Sequence, residues 1–460
     1  MKRYVVAVLF TALGMVVAAQ QEEPVTGEKP VRTISVDEAV SLALNNNLGL
    51  QASQVTLEKK KRPAVLSWNQ FLPTVGLSGS LSAANSVSTQ NVPIGISGGQ
   101  LMYRTVEGPR WGLNAAFQIQ WSGLNVAMFE GVRKLKRDYE AGEIGYQKAK
   151  LQLERDIRKL YSSILLAEEN LKVQEQSFTL AEEQVRTAQA NYNAGLSAEL
   201  TLMQARLNRD KLIPDIDLIK NNIKVSMANF AMLLGLPYDT EFTLVSTEQV
   251  RYDVPFDTAE LIRNAAGSKV DLQELRANIV ALRTARNAMR YQLWTPSLSL
   301  GWTLNPTFSG DPFRDSWSGD SWTDTGRFSL NLSWSLNGML PFTKEVATLR
   351  DLNDDIRSLD INLAQAIRAT EVEVYNQVFL VQQARESIDA QQKTVELAER
   401  TYRDTLAAFR AGLRDFMEVQ NVEQQLRQAR LGVLQQQYNF FTGVIDLEYA
   451  VGVPFGTMIQ

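Results

Sequence analysis

The chain has 460 residues, a formal net charge of -4 at pH 7, and neither cysteine nor histidine. Those two absences exclude disulfides, thiolate ligands, a lipid anchored on an N-terminal cysteine, a His-based triad and a zinc enzyme. The acidic balance speaks against a nucleic-acid partner, no pair of carboxylates stands out as a catalytic couple, and nothing in the composition requires a metal or a cofactor.

In chain order, the first feature is an address. Lys2 and Arg3 precede an apolar run that ends in Val17-Ala18-Ala19, the order of a secretory signal, and the run is shorter than the roughly 20 residues of a spanning helix. Residues 1–19 are therefore expected to be removed after Ala19, which takes Lys2 and Arg3 with them and leaves a formal charge of -6. Residues 20–34 read as an N-terminal tail. Residues 36–70 read as a helix that Pro63 should kink or end early.

Two segments of strict alternation follow, at 73–83 and 111–121. Val75, Leu77, Leu81 and Ala83 alternate with Thr74, Gly76, Ser78, Ser80 and Ser82, and Trp111, Leu113, Phe117, Ile119 and Trp121 with Gly112, Asn114, Gln118 and Gln120. A period of two assigns each set to one face of a sheet. The polar face carries Ser, Thr, Asn, Gln and Gly without the Lys and Glu of an ordinary solvated sheet, which suits the wall of a water-filled pore. Residues 84–110 between the two strands read as an external loop.

Between Gly145 and Gly195 there is no Gly or Pro. Leu153, Ile157, Leu160, Ile164, Ala167, Leu171, Gln174, Phe178, Ala181, Val185, Ala188 and Tyr192 recur in steps of four and three, the repeat of a coiled-coil seam. A helix of roughly 65 residues would reach about 100 Å. After the turn at Gly195 a return helix, with Pro214 inside it, runs to Gly235-Leu236-Pro237.

Residues 238–256, irregular and Pro-containing, connect to a second copy of the plan at 257–460. It holds a helix at 257–293, strands at 297–305 and 327–337 around an external loop at 306–326, and a helix signal free of Gly and Pro between Pro341 and Gly412. That signal opens with the seam Leu349, Leu352, Ile356, Leu359, Leu363 and Ile367, and a return helix follows it. Residues 180–237 align without a gap with 397–454: Leu180-Ala181-Glu182 with Leu397-Ala398-Glu399, Ala194-Gly195-Leu196 with Ala411-Gly412-Leu413, and Gly235-Leu236-Pro237 with Gly452-Val453-Pro454. Residues 35–237 and 257–460 thus read as an internal two-fold repeat.

Each strand is about 9 to 11 residues, the length that crosses a bilayer at a tilt. All eight tryptophans lie in or beside the strands, where a membrane barrel carries its aromatic girdle. Trp111, Phe117, Trp121, Trp302, Leu330 and Trp334 are assigned to lipid, and Asn331 and Ser333 to the lumen. Four strands cannot close a barrel, because known membrane barrels start at eight and an open edge in lipid leaves backbone groups unpaired. Three chains would supply twelve strands. The expected fold class is an α+β membrane protein, a trimeric twelve-stranded β-barrel with four strands per chain, continuous with a long coiled-coil α-helical barrel. Lys59, Lys60, Lys61 and Arg62, then Arg133, Lys134, Lys136 and Arg137, stand on the helix side of the strands, either beneath the inner leaflet or as a solvated basic face.

The Ser35-Val36-Asp37-Glu38-Ala39-Val40 helix start, the Phe71-Leu72-Pro73 strand entry, the Tyr192-Asn193-Ala194-Gly195-Leu196 turn and the Gly235-Leu236-Pro237 stop, with the duplication and strand pairs, make the chain resemble the TolC-type outer-membrane efflux and secretion channels over nearly its whole mature length. The resemblance implies a homotrimer in outer-membrane lipid whose helices extend into the periplasm. It also implies a passive export duct of a tripartite efflux or type I secretion system, closed at its far end and opened by a periplasmic adaptor and an inner-membrane transporter. Gly195, Leu196, Gly412 and Leu413 become the adaptor-facing tips. Arg414, Glu418 and Asn421, with Phe409 and with Thr201 of the first hairpin, match the family's gate positions, although only one of two family acids is present. Asp415 as a helix cap with Glu418 as the third residue of a capping box explains the same residues differently. A periplasmic coiled-coil adaptor or scaffold is the alternative function; it accounts for the helices and leaves the uncharged strands without a role.

Overall fold

The computed structural model describes residues 32–87, 89–108, 110–245, 257–308, 310–411 and 413–458. The signal segment 1–19, most of the tail, residues 246–256 of the connector and Gly412 lie outside the described residues. The first half runs β1 (Arg32–Ile34), α1 (Val36–Asn46), α2 (Leu48–Val65), β2 (Thr74–Ala83), β3 (Thr89–Ser97), β4 (Gln100–Glu107), β5 (Trp111–Leu124), α3 (Val126–Asn193) and α4 (Glu199–Leu233). After β6 (Phe242–Leu244), the second runs α5 (Thr258–Ser268), α6 (Val270–Trp294), β7 (Ser297–Leu304), β8 (Pro306–Phe308), β9 (Trp322–Asp324), β10 (Arg327–Ser333), α7 (Lys344–Arg410) and α8 (Phe416–Val451).

The long helices span 68 and 67 residues in α3 and α7. Their seams are the expected ones: Ile157, Ile164, Ala181 and Ala188 of α3 and Ile356 of α7 are buried. Tyr192, at the end of the predicted stripe, is exposed beside the turn. Pro214 lies within α4, which runs on past it to Leu233. Pro63 lies in the last turn of α2, which stops at Val65, earlier than expected, and a 3-10 turn covers Ser67–Phe71.

The helices expected over 36–70 and 257–293 are not continuous, because each breaks after eleven residues. At Asn47 the side chain caps α2 by accepting the Leu50 N–H at 2.9 Å and donates to the Leu233 carbonyl, in the last turn of α4, at 2.8 Å. At Lys269 the ammonium, 8% exposed, reaches Glu373 of α7 at 2.6 Å, and Ser268 bonds the Val451 carbonyl at the end of α8. Each break docks on the glycine that ends a return helix. A methyl group on Gly235 would lie 2.6 Å from the Asn46 carbonyl carbon, and one on Gly452 would lie 2.7 Å from that of Ser268; both glycines have positive φ, 72° and 77°.

The sheet differs from expectation in its limits. β2, β5, β7 and β10 lie side by side and antiparallel in that order. β8 continues β7 along β5, with Leu113 opposite Phe308, and β9 pairs with β8 before the chain enters β10. The second half therefore carries strands longer at their outer ends than 297–305, while β10 stops at Ser333 and leaves Trp334 beyond it. Residues 84–110 are not a structureless loop: β3 and β4 form a hairpin that turns at Gly98-Gly99, both in the left-handed region. Residues 306–326 pack Phe308, 2% exposed, against Trp317 and Trp322 at ring distances of 5.4 Å.

Two equivalent cores sit where the breaks dock. In the first, Ala39, Ala43, Ile157, Ile164, Phe230 and Leu234 pack together; in the second, Ala265, Val374, Val378, Leu447 and Ala450 do. β1, counted with the tail on sequence grounds, runs parallel to β6. The Tyr161 hydroxyl pins the pair: its one proton is shared between the Val245 carbonyl at 2.7 Å and the Ile34 carbonyl at 3.1 Å, and its oxygen accepts the Val245 N–H at 2.9 Å. Ion pairs tie the halves: Lys148 of α3 meets Asp271 and Glu274 of α6, and Lys159 meets Asp446 of α8. The bond to Asp271, then that to Glu274, holds the Lys148 ammonium well above its ordinary pKa.

Gly235→Ala and Gly452→Ala should each destabilise the fold by about 1–3 kcal/mol, since both add a Cβ to a left-handed, closely approached position. Gly267→Ala, in α5 with nothing within 4 Å of the new methyl, should be neutral or stabilise by about 0.5–1 kcal/mol. Thermal unfolding followed by circular dichroism separates the two classes, and equal midpoints for all three variants would contradict the docking.

Candidate functional site

Two places combine exposed apolar side chains with organised polar ones: the sheet and the far turns of the two helical hairpins. In the sheet, ladder register rather than alternation alone decides which side chains share a face. Val75 stands opposite Ile119, Ile119 opposite Trp302, and Trp302 opposite Phe328. The next rows join Leu77, Phe117 and Leu304, and Trp121, Leu300 and Leu330. Phe117 and Trp302 meet edge to face at 5.8 Å. One face thus collects the apolar residues of all four strands, including Trp111, Phe117, Trp121, Trp302 and Leu330. Among the described residues its middle rows and its β2 and β10 sides are uncovered, with Leu77 81% and Leu332 73% exposed, while Phe313 packs on Trp111, and Trp317 and Trp322 on Phe308, at its outer end.

The other face carries Gly76, Gln118, Thr303 and Arg327 in one row and Thr74, Gln120, Gly301 and Ser329 in the next. Asn331 and Ser333 belong to it, opposite Ser299 and Ser297. At the inner end the register shifts between Trp121 and Leu124, where Gly123 has φ 66°. Bulges of this kind re-aim a strand at a barrel rim.

At the far turns, α3 ends as Leu196 N–H bonds the Asn191 carbonyl at 2.8 Å, and α7 ends as Leu413 N–H bonds that of Ala408 at 2.9 Å. Gly195 supplies the left-handed residue of the first turn, with φ 72°. The bonds from Leu196 and Leu413 leave both leucine side chains outside, 79% and 77% exposed. Inside the turns, Phe409 and Phe416 pack at 5.8 Å and join Val185, Ala188, Leu202 and Ala205 of the first hairpin. The two tips are one packed unit.

Arg414 and Glu418 form an ion pair at 2.9 Å, with side chains 58% and 45% exposed. Asp415 occupies the N-cap position with extended backbone, yet its side chain makes no capping bond, and the Glu418 N–H bonds the Asp415 main-chain carbonyl at 3.1 Å. The pairing with Arg414, rather than a reach back to the cap, is where the Glu418 carboxylate goes. Asn421 is exposed on α8. Thr201 lies half-buried in the first turn of α4, its N–H on the Ala198 carbonyl, and it is not joined to the Arg414–Glu418 pair by a hydrogen bond among the described residues.

Sequence reading missed a buried acid behind the tips. Glu423 is 5% exposed beside Tyr402, Val419 and Leu426, with one carboxylate oxygen unbonded among the described residues. The signal was legible, since Phe416, Val419, Glu423 and Leu426 step by three and four along the α8 seam. Burial pushes the Tyr402 hydroxyl above its ordinary pKa, and the Glu423 charge adds to the shift.

With this geometry described, comparison with known proteins places it. The family profile described as "Outer membrane efflux protein" matches residues 39–234 and 261–453. The outer membrane protein TolC of Salmonella enteritidis is 18% identical over 345 residues, 74% of this chain and 69% of its own. The fold superimposes on the CmeC outer membrane channel of Campylobacter jejuni with a TM-score of 0.72 at 17% identity, covering 91% of this chain and 85% of that one. It superimposes on the outer membrane protein VceC of Vibrio cholerae with a TM-score of 0.71 at 16% identity, covering 91% and 96%.

Glu423→Leu should raise the unfolding midpoint, because it removes a buried carboxylate oxygen left without a bond, a desolvation cost of about 1–3 kcal/mol. Differential scanning calorimetry on the detergent-solubilised protein measures this. A lowered midpoint would mean that the carboxylate has a partner outside its own chain.

Proposed function

The chain belongs to the outer membrane efflux protein family, and from that membership we propose that three identical copies share one twelve-stranded barrel in the outer membrane, continuous with a helical tunnel below it. The protein is an outer-membrane channel of the kind that works with a periplasmic adaptor and an inner-membrane transporter in tripartite efflux. One observation carries the trimeric reading: a four-stranded sheet, apolar on one largely uncovered face, whose outer strands β2 and β10 each have a free edge among the described residues. In lipid those edges must pair, and only another chain can supply the partner.

In this reading Trp111, Phe117, Trp121, Trp302 and Leu330 face lipid, with Trp334 just beyond the strand at the interface, while Asn331 and Ser333 face water. Residues 35–237 and 257–460 are two copies of one plan joined through 238–256. The matching landmarks and the near-equal lengths of α3 and α7 support this. The far turns close the duct. Leu196 and Leu413, exposed beside Gly195 and Gly412, offer apolar contacts to the adaptor. Arg414, Glu418 and Asn421, with Phe409 behind them and Thr201 on the neighbouring hairpin, line the narrow mouth. Three symmetry-related Glu418 carboxylates there would attract cations, and Arg414 would hold them.

Two measurements test the reading. Leu330→Arg should cost roughly 2–4 kcal/mol of membrane-inserted stability if the residue lies near the midplane, whereas Asn331→Arg should be tolerated and change conductance; equal tolerance in outer-membrane fractions would reverse the assigned faces. In planar bilayers, Glu418→Ala should lower cation selectivity and Arg414→Ala should raise the open fraction. Unchanged recordings from both variants, in intact assemblies, would remove them from the mouth.

A further inference from the structure

α2 carries two seams. Leu50 and Ala64, both buried, and half-buried Leu57 face α3. On the opposite side Leu48, Ala52, Val55, Lys59, Arg62 and Leu66 step by four and three, and all are exposed. This is a second coiled-coil stripe, apolar at its ends and basic in the middle. α7 carries a matching one. Its inner stripe includes Leu352, Ile356 and Leu359, and its flank toward α6 holds the pairs Arg283–Asp360 and Arg286–Asn353 at 3.0 and 3.4 Å. Away from both lie Ala347, Asp351, Asp354, Ser358 and Ile361, again in steps of four and three and all exposed. Lys59, Arg62, Asp351 and Asp354 make no side-chain ion pair or hydrogen bond among the described residues.

The sheet says which stripes meet. α2 lies below β2 and α7 below β10, and these are the two strands with free edges. Height agrees as well. Arg62 stands almost as far ahead of β2 as Arg286 stands ahead of β7, and Arg286 reaches Asn353. Arg62 therefore lies level with Asp351 and Asp354, and Val55, two turns lower, approaches the level of Ile361.

We infer that the α2 stripe of one copy docks on the α7 stripe of the next, with Lys59 and Arg62 pairing with Asp351 and Asp354 beneath each shared β2–β10 edge. This rests on the trimeric reading above and adds its contact residues. The occupant is a second copy rather than lipid or another protein, because the chain itself carries the complementary charge at the complementary height next to the edge that must be joined. The pairing also selects the partner: β2 against a second β2 would set basic stripe on basic stripe and repel.

The chain has no cysteine, so Arg62→Cys combined with Asp354→Cys gives one defined pair per contact. Treated in membranes with a short bis-maleimide, this variant should yield covalent species of two and three chains, while each single variant yields none. Lys59→Glu with Arg62→Glu should weaken trimerisation about tenfold or more, and adding Asp351→Lys with Asp354→Lys should restore it. Native mass spectrometry reads the assembly. A trimeric wild-type protein with no covalent oligomers in the double-cysteine variant, or with no effect of charge reversal, overturns the inference and leaves the trimeric reading standing. A wild-type protein that is not trimeric overturns both.

Discussion

A backbone N–H or C=O in hydrocarbon has no water to bond, and a sheet that enters lipid must therefore have no edge. In this chain the constraint meets a sheet of β2, β5, β7 and β10 that is apolar on one face and, among the described residues, open on both sides. Folded alone, the polypeptide cannot satisfy it. In the proposed trimer, the exposed stripes on α2 and α7 lie beneath the edges that neighbouring copies would share.

Within a chain, rigidity comes from the middle. The breaks at Asn47 and Lys269 let the ascending helices change direction without leaving backbone groups unpaired, because each break is bonded to the end of a return helix. Gly235 and Gly452 are glycine for that reason, having both positive φ and a carbonyl where a side chain would begin. Lys148 and Lys159 then couple the halves across α3. The far tips depend on less: a small aromatic cluster around Phe409 and Phe416 and one exposed ion pair. Exposed pairs contribute roughly 0–1 kcal/mol, so the Arg414–Glu418 pair adds little to the hold on the tips.

Much of this was legible in the sequence because the signals were periodic. Alternation without charges located the four strands, and steps of three and four located the seams of α3 and α7. The breaks at Asn47 and Lys269 were passed over although Asn45, Asn46 and Gly49 surround the first and Gly267 and Ser268 precede the second, all weak helix formers; the partner that each break docks on lies on a distant return helix. The β3–β4 hairpin was hidden because Pro93 and Gly95 interrupt its alternation at a bulge. β10 stops short of Trp334 because Leu336–Met339 turns into a 3-10 segment whose Gly338 packs on Leu293. At the tips, the resemblance singled out Arg414 and Glu418 but not their pairing with each other, and Asp415 fills the cap position without using its side chain. Glu423 escaped notice because acids on helices are common and its burial depends on Tyr402 and on the first hairpin.

The central claim is that the barrel is built by three chains, and the direct measurement is the mass of the conducting species. The protein extracted from outer membranes in mild detergent is weighed by native mass spectrometry, and the same preparation is inserted into a planar bilayer. The account predicts a complex of three chains with stable conductance, both lost together when the complex is dissociated by heat. A conducting species of one chain, or of two, would contradict it.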